Sequence, residues 1–302
     1  MNQNVLLGDV SSIQGNNLIT FLEMAEIAGK STGVISTARI THATPACTYA
    51  HTPHRDWEAD SSKPAETSTV ADIASQLIDF PYGDGIEVAM GGGRRYFLPK
   101  EKQDPENAGQ TGSRNDKRDL TQDWVNKYPN AAFVYDEAGF SAIDPKKTDH
   151  LLGLFERSHM QYEADRANDT AGEPSLSEMT QKALDILQRN EKGYFLMVEA
   201  GRIDHAHHEG NAYRALMDTV ALDRAVEAVK ERVDLNETLI IITADHSHVF
   251  TMGGYSTRGN NILGVVVEND DRGLPGNPGK DANGHHYTTL GYHNGPGYRA
   301  EA

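Results

Sequence analysis

Two apolar runs of the same form dominate the hydrophobic pattern of this chain. Residues 192–199 and residues 238–244 each hold an almost unbroken apolar stretch. Continuous apolar runs of this length are typical of strands that are buried on both faces of a parallel sheet. The first run ends at Glu199 and the second is followed by Asp245 and His246. Because ligands bind at the carboxyl ends of parallel strands, we expect these polar side chains to lie close together.

Amphipathic helical segments alternate with further short apolar runs along the rest of the chain. Helices are predicted at 16–29, capped by Asn16 or Asn17, at 71–77, from a capping box at Ser175 and Glu178, and at 210–233. Further strands are predicted at residues 33–37, 86–90, 132–135, 151–155, 262–267 and 287–292. This alternation predicts an α/β fold, a three-layer α/β/α sandwich with a largely parallel central sheet. We expect one domain over residues 1–302, with a polar surface insertion at about 100–150.

Charge and composition exclude several functional classes. The formal net charge of −16 argues against nucleic-acid binding, which needs clustered Lys and Arg. No apolar run approaches the roughly 20 residues that span a bilayer, so no transmembrane segment is expected. The first four residues carry no secretory signal. The single cysteine, Cys47, excludes an internal disulfide and leaves the redox compartment open.

The residues that follow the two apolar runs suit metal binding. If a helix starts after Glu199, Asp204 and His208 lie one turn apart and share one face. Carboxylate and imidazole together are typical ligands of zinc, whereas added carboxylates favour magnesium. Taken alone, Thr44 beside Pro45 predicts a helix cap, and Arg55 predicts a surface charge. Gly91, Gly92 and Gly93 predict a tight connection rather than a phosphate loop, because the dinucleotide-binding spacing is missing.

Six blocks of sequence in the same order resemble the alkaline phosphatases, in the form common in animals and some bacteria. They lie at residues 40–46, 90–94, 152–155, 198–208, 243–248 and 294–298. The resemblance implies a phosphomonoester hydrolase with two zinc ions and one magnesium ion. It also implies a phosphoserine intermediate in intact members, small phosphate monoesters as substrates, and a homodimer that is periplasmic or secreted.

The resemblance also implies a role for individual residues. Asp204 and His208 match ligands of the first zinc, Asp245 and His246 match ligands of the second, and Thr44 and Glu199 match magnesium ligands. Arg55 matches the arginine that binds substrate phosphate. His42 and His205 match positions beside the ligands, and His248 matches a residue that supports the second zinc site. A calcium site of the animal-type enzymes is matched by Glu106, Phe155 through its carbonyl, Glu156 and Glu173.

Two motifs of the family are not found in this sequence. No Asp-Ser-Ala tripeptide is present to supply the serine nucleophile, and no histidine matches the third ligand of the first zinc. We therefore expect an internal piece of an alkaline phosphatase, weakly active or inactive by itself. Two alternatives stay open at this stage: a non-catalytic metal-binding module, and a related metal-dependent phosphodiesterase, sulfatase or phosphomutase.

Overall fold

A parallel five-stranded sheet forms the centre of the structure, a computed structural model that describes residues 3–67 and 69–293. Its strand order is β3-β4-β2-β1-β5, and each neighbouring pair is parallel. The strands are β1 (Ser31–Arg39), β2 (Val88–Gly92), β3 (Ala131–Val134), β4 (His150–Leu154) and β5 (Tyr194–Glu199). This arrangement confirms the predicted α/β fold with its largely parallel sheet.

Helices cover both faces of the sheet. They are α1 (Phe21–Ile27), α2 (Ala43–Ala46), α3 (Ile73–Ile78), α4 (Leu120–Lys127), α5 (Glu137–Ala142), α6 (Leu176–Leu187), α7 (Arg202–His208) and α8 (Ala212–Arg232). Successive residues of β1 enter two different cores, as the pleat of a strand requires. Val34 packs in the core that contains residues of α1, α3 and α4, while Ile35 packs in the core that contains residues of α6 and α8. No helix of the described residues is long and apolar enough to cross a membrane.

Helix boundaries follow local capping chemistry. The predicted capping box is present: Ser175 accepts a hydrogen bond from the Glu178 amide, and the Glu178 side chain bonds back to the cap. The first helix was predicted to begin at residue 16, which is wrong. It begins at Phe21, because Thr20 caps it with a second capping box that involves Glu23. Leu18, before this helix, and Phe21, its first residue, are exposed.

The second apolar run does not form the predicted strand. Residues 238–244 have no regular secondary structure, and Leu239 and Ile241 are 83% and 75% exposed. The first run does form β5, but its residues are only half-buried rather than buried on both faces. Among the described residues β5 pairs with β1 alone and forms one edge of the sheet. A strand needs a neighbour for its backbone hydrogen bonds, and residues 238–244 pair with no strand in the part of the chain that the structure describes.

The polar stretch at about 100–150 contributes to the body of the structure. It contains α4, α5 and the edge strand β3, and Trp124 of α4 is fully buried. Arg114 lies in the same stretch and is also fully buried.

Small antiparallel pairs complete the described chain. They are formed by β6 (Phe250–Met252) with β9 (Leu290–Tyr292), and by β7 (Val267–Asn269) with β8 (Pro275–Pro278). The strand predicted at 262–267 therefore begins only at Val267, and the one predicted at 287–292 is shorter. The turn predicted at residues 294–297 lies outside the described residues.

Candidate functional site

The carboxyl ends of β1 and β5 bring Glu199 beside the loop after β1. Ser36 of β1 lies in register with Glu199, and its hydroxyl donates a hydrogen bond to that carboxylate. The Thr44 side chain acts on the same carboxylate and lowers its pKa. Thr44 is not the helix cap that its position beside Pro45 predicts, since α2 begins after His42 and no side chain caps it. The hydroxyl oxygen of Thr44 is instead a second oxygen ligand that a metal ion near Glu199 could use.

The charges of Asp204 and Asp245 act on the same carboxylate. Burial raises the pKa of Glu199, and the negative charges of Asp245 and Asp204 raise it further. Asp245 and His246 lie on the exposed segment after residue 244, with the His246 Nε2 atom 3.3 Å from the Asp245 Oδ2 atom. Negative charge of this kind suits a divalent cation.

Asp204 and His208 face the same side of α7, as their spacing predicts. The His208 Nε2 atom lies 3.5 Å from Asp204 Oδ2, and the His248 Nε2 atom lies 3.7 Å from Asp204 Oδ1. Donor atoms of these three residues all lie within 4.8 Å of one another. His248 was expected to support the second zinc pair, and its Nε2 atom lies beside Asp204.

A cluster of three imidazoles lies nearby and was not predicted as a group. His42, His159 and His205 bring ring nitrogens within 4.8 Å of one another. Burial, followed by the charge of neighbouring arginines, lowers the pKa of His42 and His205 to about 4 and that of His159 to about 2. These rings are therefore neutral near pH 7.

Guanidinium groups surround this imidazole cluster. One nitrogen of each ring lies close to a guanidinium nitrogen. His42 Nε2 lies 3.2 Å from Arg55, His159 Nε2 lies 2.5 Å from Arg39, and His205 Nδ1 lies 3.0 Å from Arg202. A guanidinium only donates, so His42 Nε2 and His205 Nδ1 must accept. The neutral His159 ring has one accepting nitrogen, which faces an Arg39 donor whether it is Nδ1 or Nε2. The lone pairs that a metal would need are thus already used. The cluster suits the binding of negatively charged oxygens rather than of a cation.

Acidic side chains form a separate group on the far side of β4. Glu106, Glu156 and Asp169 bring carboxylate oxygens within 4.8 Å of one another and line a cavity of about 330 Å³. Burial raises the pKa of Glu106 to about 7 and also raises that of Glu156. Asp169 was missed by the sequence reasoning, because nothing in its local sequence links it to the other two.

Glu173 and Phe155, the other two residues expected here, lie beside this group. Glu173 is 2% exposed, its Oε1 atom accepts a hydrogen bond from the Gln161 amide, and its Oε2 atom has no hydrogen-bond partner. Burial and the charges of Glu156 and Asp169 raise its pKa to about 9. Phe155 precedes Glu156 directly, and its ring is buried against Phe140.

The donor atoms of two groups, Asp204 with His208 and His248, and Asp169 with Glu106 and Glu156, fit metal ions. The Asp204 Oδ1 atom and the Asp169 Oδ2 atom are buried and have no hydrogen-bond partner. Buried carboxylate oxygens without partners are costly, and a bound cation would satisfy them. Mixed carboxylate and imidazole donors at Asp204 suit zinc, and the all-oxygen set at Asp169 suits a harder ion.

Comparisons with known proteins find alkaline phosphatases. The tissue-nonspecific alkaline phosphatase isozyme of Homo sapiens is 43% identical over 298 residues, which cover 96% of this chain and 54% of that protein. The crystal structure of Thermus thermophilus alkaline phosphatase has a TM-score of 0.59 at 34% identity and covers 74% of this chain and 40% of that one. The alkaline phosphatase of the Antarctic bacterium TAB5 shares the fold, with a TM-score of 0.59 at 23% identity over 89% of this chain and 66% of that one.

The match extends along the chain but not along the whole of its relatives. The family model described as "Alkaline phosphatase" matches residues 2–302. The chain spans little more than half the length of the curated relatives it matches. With the sequence matched almost from end to end, the chain belongs to the alkaline phosphatase family.

Proposed function

We propose that this chain carries the metal-binding and phosphate-binding part of a phosphomonoester hydrolase. One observation carries the proposal: donor atoms of Asp204, His208 and His248 lie within 4.8 Å of one another, just after the carboxyl end of β5. The charges of Asp245 and Asp204 also raise the pKa of Glu199, the last residue of β5. Arg55 reaches the same region through its contact with His42.

Three pairs of residues would hold the ions that the family resemblance implies. Asp204 and His208 would hold one zinc, Asp245 and His246 a second zinc, and Thr44 with Glu199 a magnesium ion. When bound, these ions supply Lewis-acid stabilisation of negative charge on phosphoryl oxygens.

The chain's own side chains would position the phosphate. Arg55 is exposed and presents a planar fork of donors, which matches two oxygens of a phosphate group. Because Arg55 donates to His42 Nε2 and Arg202 donates to His205 Nδ1, the second nitrogen of each neutral ring carries the proton. His42 and His205 therefore offer uncharged N–H donors within a positive field, which favours an anion over a cation.

Inorganic phosphate binding tests the proposal without the need for turnover. We expect the chain loaded with Zn²⁺ and Mg²⁺ to bind phosphate in calorimetry, and Arg55→Ala to weaken that binding about 10- to 100-fold, the range for loss of a charge-assisted contact of roughly 1.5–3 kcal/mol. Arg258→Ala removes another exposed arginine and serves as the matched control. Equal phosphate affinity in both variants, or no phosphate binding by the metal-loaded chain, would contradict the proposal.

Hydrolysis assays distinguish the proposal from the two alternatives, a related hydrolase class and a non-catalytic metal-binding module. Because no Asp-Ser-Ala motif occurs in the sequence, we expect little or no hydrolysis of p-nitrophenyl phosphate by the chain itself. Faster hydrolysis of a phosphate diester or a sulfate ester than of the monoester would favour the related hydrolase classes. Metal binding without phosphate binding would favour a non-catalytic module.

We also propose that Glu106, Glu156 and Asp169 form a calcium site. Their oxygens lie together, they line one cavity, and hard carboxylate ligands suit calcium. The structure favours Asp169 over Glu173 as the third carboxylate of this site, with Glu173 and the Phe155 carbonyl as nearby residues of the expected set.

Thermal unfolding with and without Ca²⁺ tests the calcium site. At a calcium concentration about 100 times the dissociation constant, binding adds roughly 2.7 kcal/mol to the free energy of unfolding and raises Tm. We expect Glu156→Gln to remove most of this gain, because it removes one charged ligand. Glu101→Gln changes an exposed glutamate in the same part of the chain and should keep the full gain. An equal calcium-dependent rise in Tm for both variants would exclude the site.

Homodimerisation and a periplasmic or secreted location are further proposals that the family resemblance supports. Sedimentation equilibrium of the metal-loaded chain tests the first, since a mass of one chain at micromolar concentration would contradict it.

A further inference from the structure

The guanidinium of Arg202, the first residue of α7, lies over the ring of Tyr162. Its central carbon is 3.7 Å from the ring centroid. A second guanidinium, that of Arg214 in α8, has its central carbon 4.6 Å from the same centroid. Tyr162 is 3% exposed, so water is largely excluded from these contacts. Because the face of an aromatic ring carries negative charge, it attracts a cation most strongly where water is excluded.

Surrounding contacts hold the Tyr162 ring in place. The Tyr162 hydroxyl donates a hydrogen bond of 2.8 Å to Glu209 Oε1. Arg214 is fixed in turn, since it forms an ion pair of 3.2 Å with Glu209. The ring also packs in a buried cluster with one alanine of α7, Ala206, and one of α8, Ala215. Tyr162 therefore gives the Arg202 guanidinium a rigid support.

Arg202, unlike Arg214, forms no ion pair among the described residues. Its Nε atom is buried and has no hydrogen-bond partner. Burial lowers the pKa of Arg202, and the charges of Asp218 and Glu209 offset only part of that effect. The contact with the Tyr162 ring is therefore the closest attraction that stabilises this buried charge.

The stacked guanidinium directs one of its donors at His205. The Arg202 Nη1 atom lies 3.0 Å from His205 Nδ1, three residues further along α7. Nδ1 accepts this bond, so the proton of the neutral ring is on Nε2. Without the aromatic ring, the long Arg202 side chain would be free to turn toward the carboxylates of Asp218 and Glu209, whose charges already act on it.

We propose that Tyr162 is a positioning residue for the phosphate site. Its ring holds the Arg202 guanidinium against His205 Nδ1, and this keeps the Nε2–H donor of His205 available for a phosphate oxygen. The inference rests on the proposed function, which assigns that donor to phosphate. Tyr162 acts through Arg202 rather than on the phosphate itself, since its own hydroxyl is bonded to Glu209.

Histidine ¹⁵N NMR and phosphate calorimetry with the full chain test this role. The His205 Nδ1 resonance is assigned by its loss in His205→Gln and is followed near pH 7, where the ring is neutral. We expect Tyr162→Leu to move this resonance to its position in Arg202→Gln, and to weaken phosphate binding by the metal-loaded chain about 10-fold. Tyr162→Phe keeps the ring and should change neither measurement.

Fluorinated phenylalanines at position 162 test the aromatic contact with little change in side-chain volume. Ring fluorines withdraw negative charge from the aromatic face. An increasing number of them should therefore move the His205 Nδ1 resonance in steps and weaken phosphate binding in the same order. This series decides the question even if Tyr162→Leu does not fold. No trend with fluorination would overturn the inference.

Further outcomes separate this inference from the proposed function. Tyr213→Leu removes an exposed tyrosine of α8 and is the matched control, which should leave both measurements unchanged. If the chain binds phosphate and Tyr162→Leu changes neither measurement, the inference fails and the proposed function stands. If Tyr162→Phe acts like Tyr162→Leu, the hydroxyl rather than the ring is responsible, and the inference fails. If the metal-loaded chain binds no phosphate, the proposed function fails, and with it the role of Tyr162, whatever the resonance does.

Discussion

Replacing Arg114 by methionine is expected to lower the free energy of unfolding by about 3–5 kcal/mol, which is the typical cost of removing one partner of a buried ion pair. Arg114 is fully buried, and its two terminal nitrogens lie 3.0 and 3.1 Å from the two oxygens of Asp72. It also donates to Asp116 and to the Ser75 hydroxyl. Methionine fills a similar volume but leaves the Asp72 charge buried without a counter-charge. Urea denaturation measures the loss.

Arg118→Met is the matched control for this substitution. Arg118 forms two ion pairs, with Asp79 and Asp123, at 2.9 Å each. All three side chains are at least 35% exposed, so their loss should cost less than about 1 kcal/mol. Asp72→Asn, added to Arg114→Met, should recover part of the stability, since asparagine can still cap α3 as Asp72 does. If Arg114→Met and Arg118→Met lower the free energy of unfolding equally, burial does not control the cost of losing an ion pair.

Arg114 also illustrates what sequence patterns could not predict. Arg114 lies in a stretch rich in polar residues, and that composition indicates a surface insertion. Its burial depends on the ion pair with Asp72, which is 42 residues away. Hydrophobic periodicity identifies residues that avoid water, but it does not identify charges that are buried together. The same limit applies to Asp169, which reaches Glu106 and Glu156 only through the path of the loop before α6.

Local chemistry, in contrast, was predicted well. The i, i+4 spacing of Asp204 and His208 needs only a helix to bring both side chains to one face, and α7 provides it. The capping box at Ser175 likewise depends on four consecutive residues. The position of His248 beside this pair depends on the path of the segment before β6, which no local pattern predicts.

The missing second strand shows why an apolar run alone does not determine a strand. Residues 238–244 have the composition of a buried strand, but strand formation also requires a partner with free backbone donors and acceptors. Among the described residues the sheet ends at β5, and the run does not pair with it. The charge of Asp245, just after the run, still raises the pKa of Glu199.

Glu26→Gln is expected to change the pH dependence of stability. Glu26 of α1 is 2% exposed, its Oε1 atom accepts a hydrogen bond of 2.5 Å from the Thr32 hydroxyl, and its Oε2 atom has no partner. Burial raises its pKa from 4.5 to about 8, and the nearby charges of Glu87 and Asp84 add to this effect. The folded chain therefore holds a proton at pH 7 that the unfolded chain releases.

The sign of the effect follows from this difference in proton binding. Between pH 4.5 and about 8 the folded state binds more protons at Glu26 than the unfolded state does, so the contribution of Glu26 to stability falls as pH rises. Glutamine has nearly the same shape and stays neutral. The free energy of unfolding of Glu26→Gln relative to the unaltered chain should rise by about 2–4 kcal/mol between pH 5 and pH 9. Denaturant unfolding at a series of pH values measures it.

Other titratable groups near Glu26 also change the pH dependence of stability, so the experiment needs controls. Burial raises the pKa of Glu87 to about 7 and that of Tyr128 above its ordinary value, but both residues are present in the two proteins and largely cancel in the difference. Glu101→Gln, at an exposed position, should show a difference that does not vary with pH. If Glu26→Gln shows the same stability difference at pH 5 and pH 9, the Glu26 carboxyl is already ionised in the folded chain. In that case the missing partner of its Oε2 atom must be a bound cation or water rather than a proton.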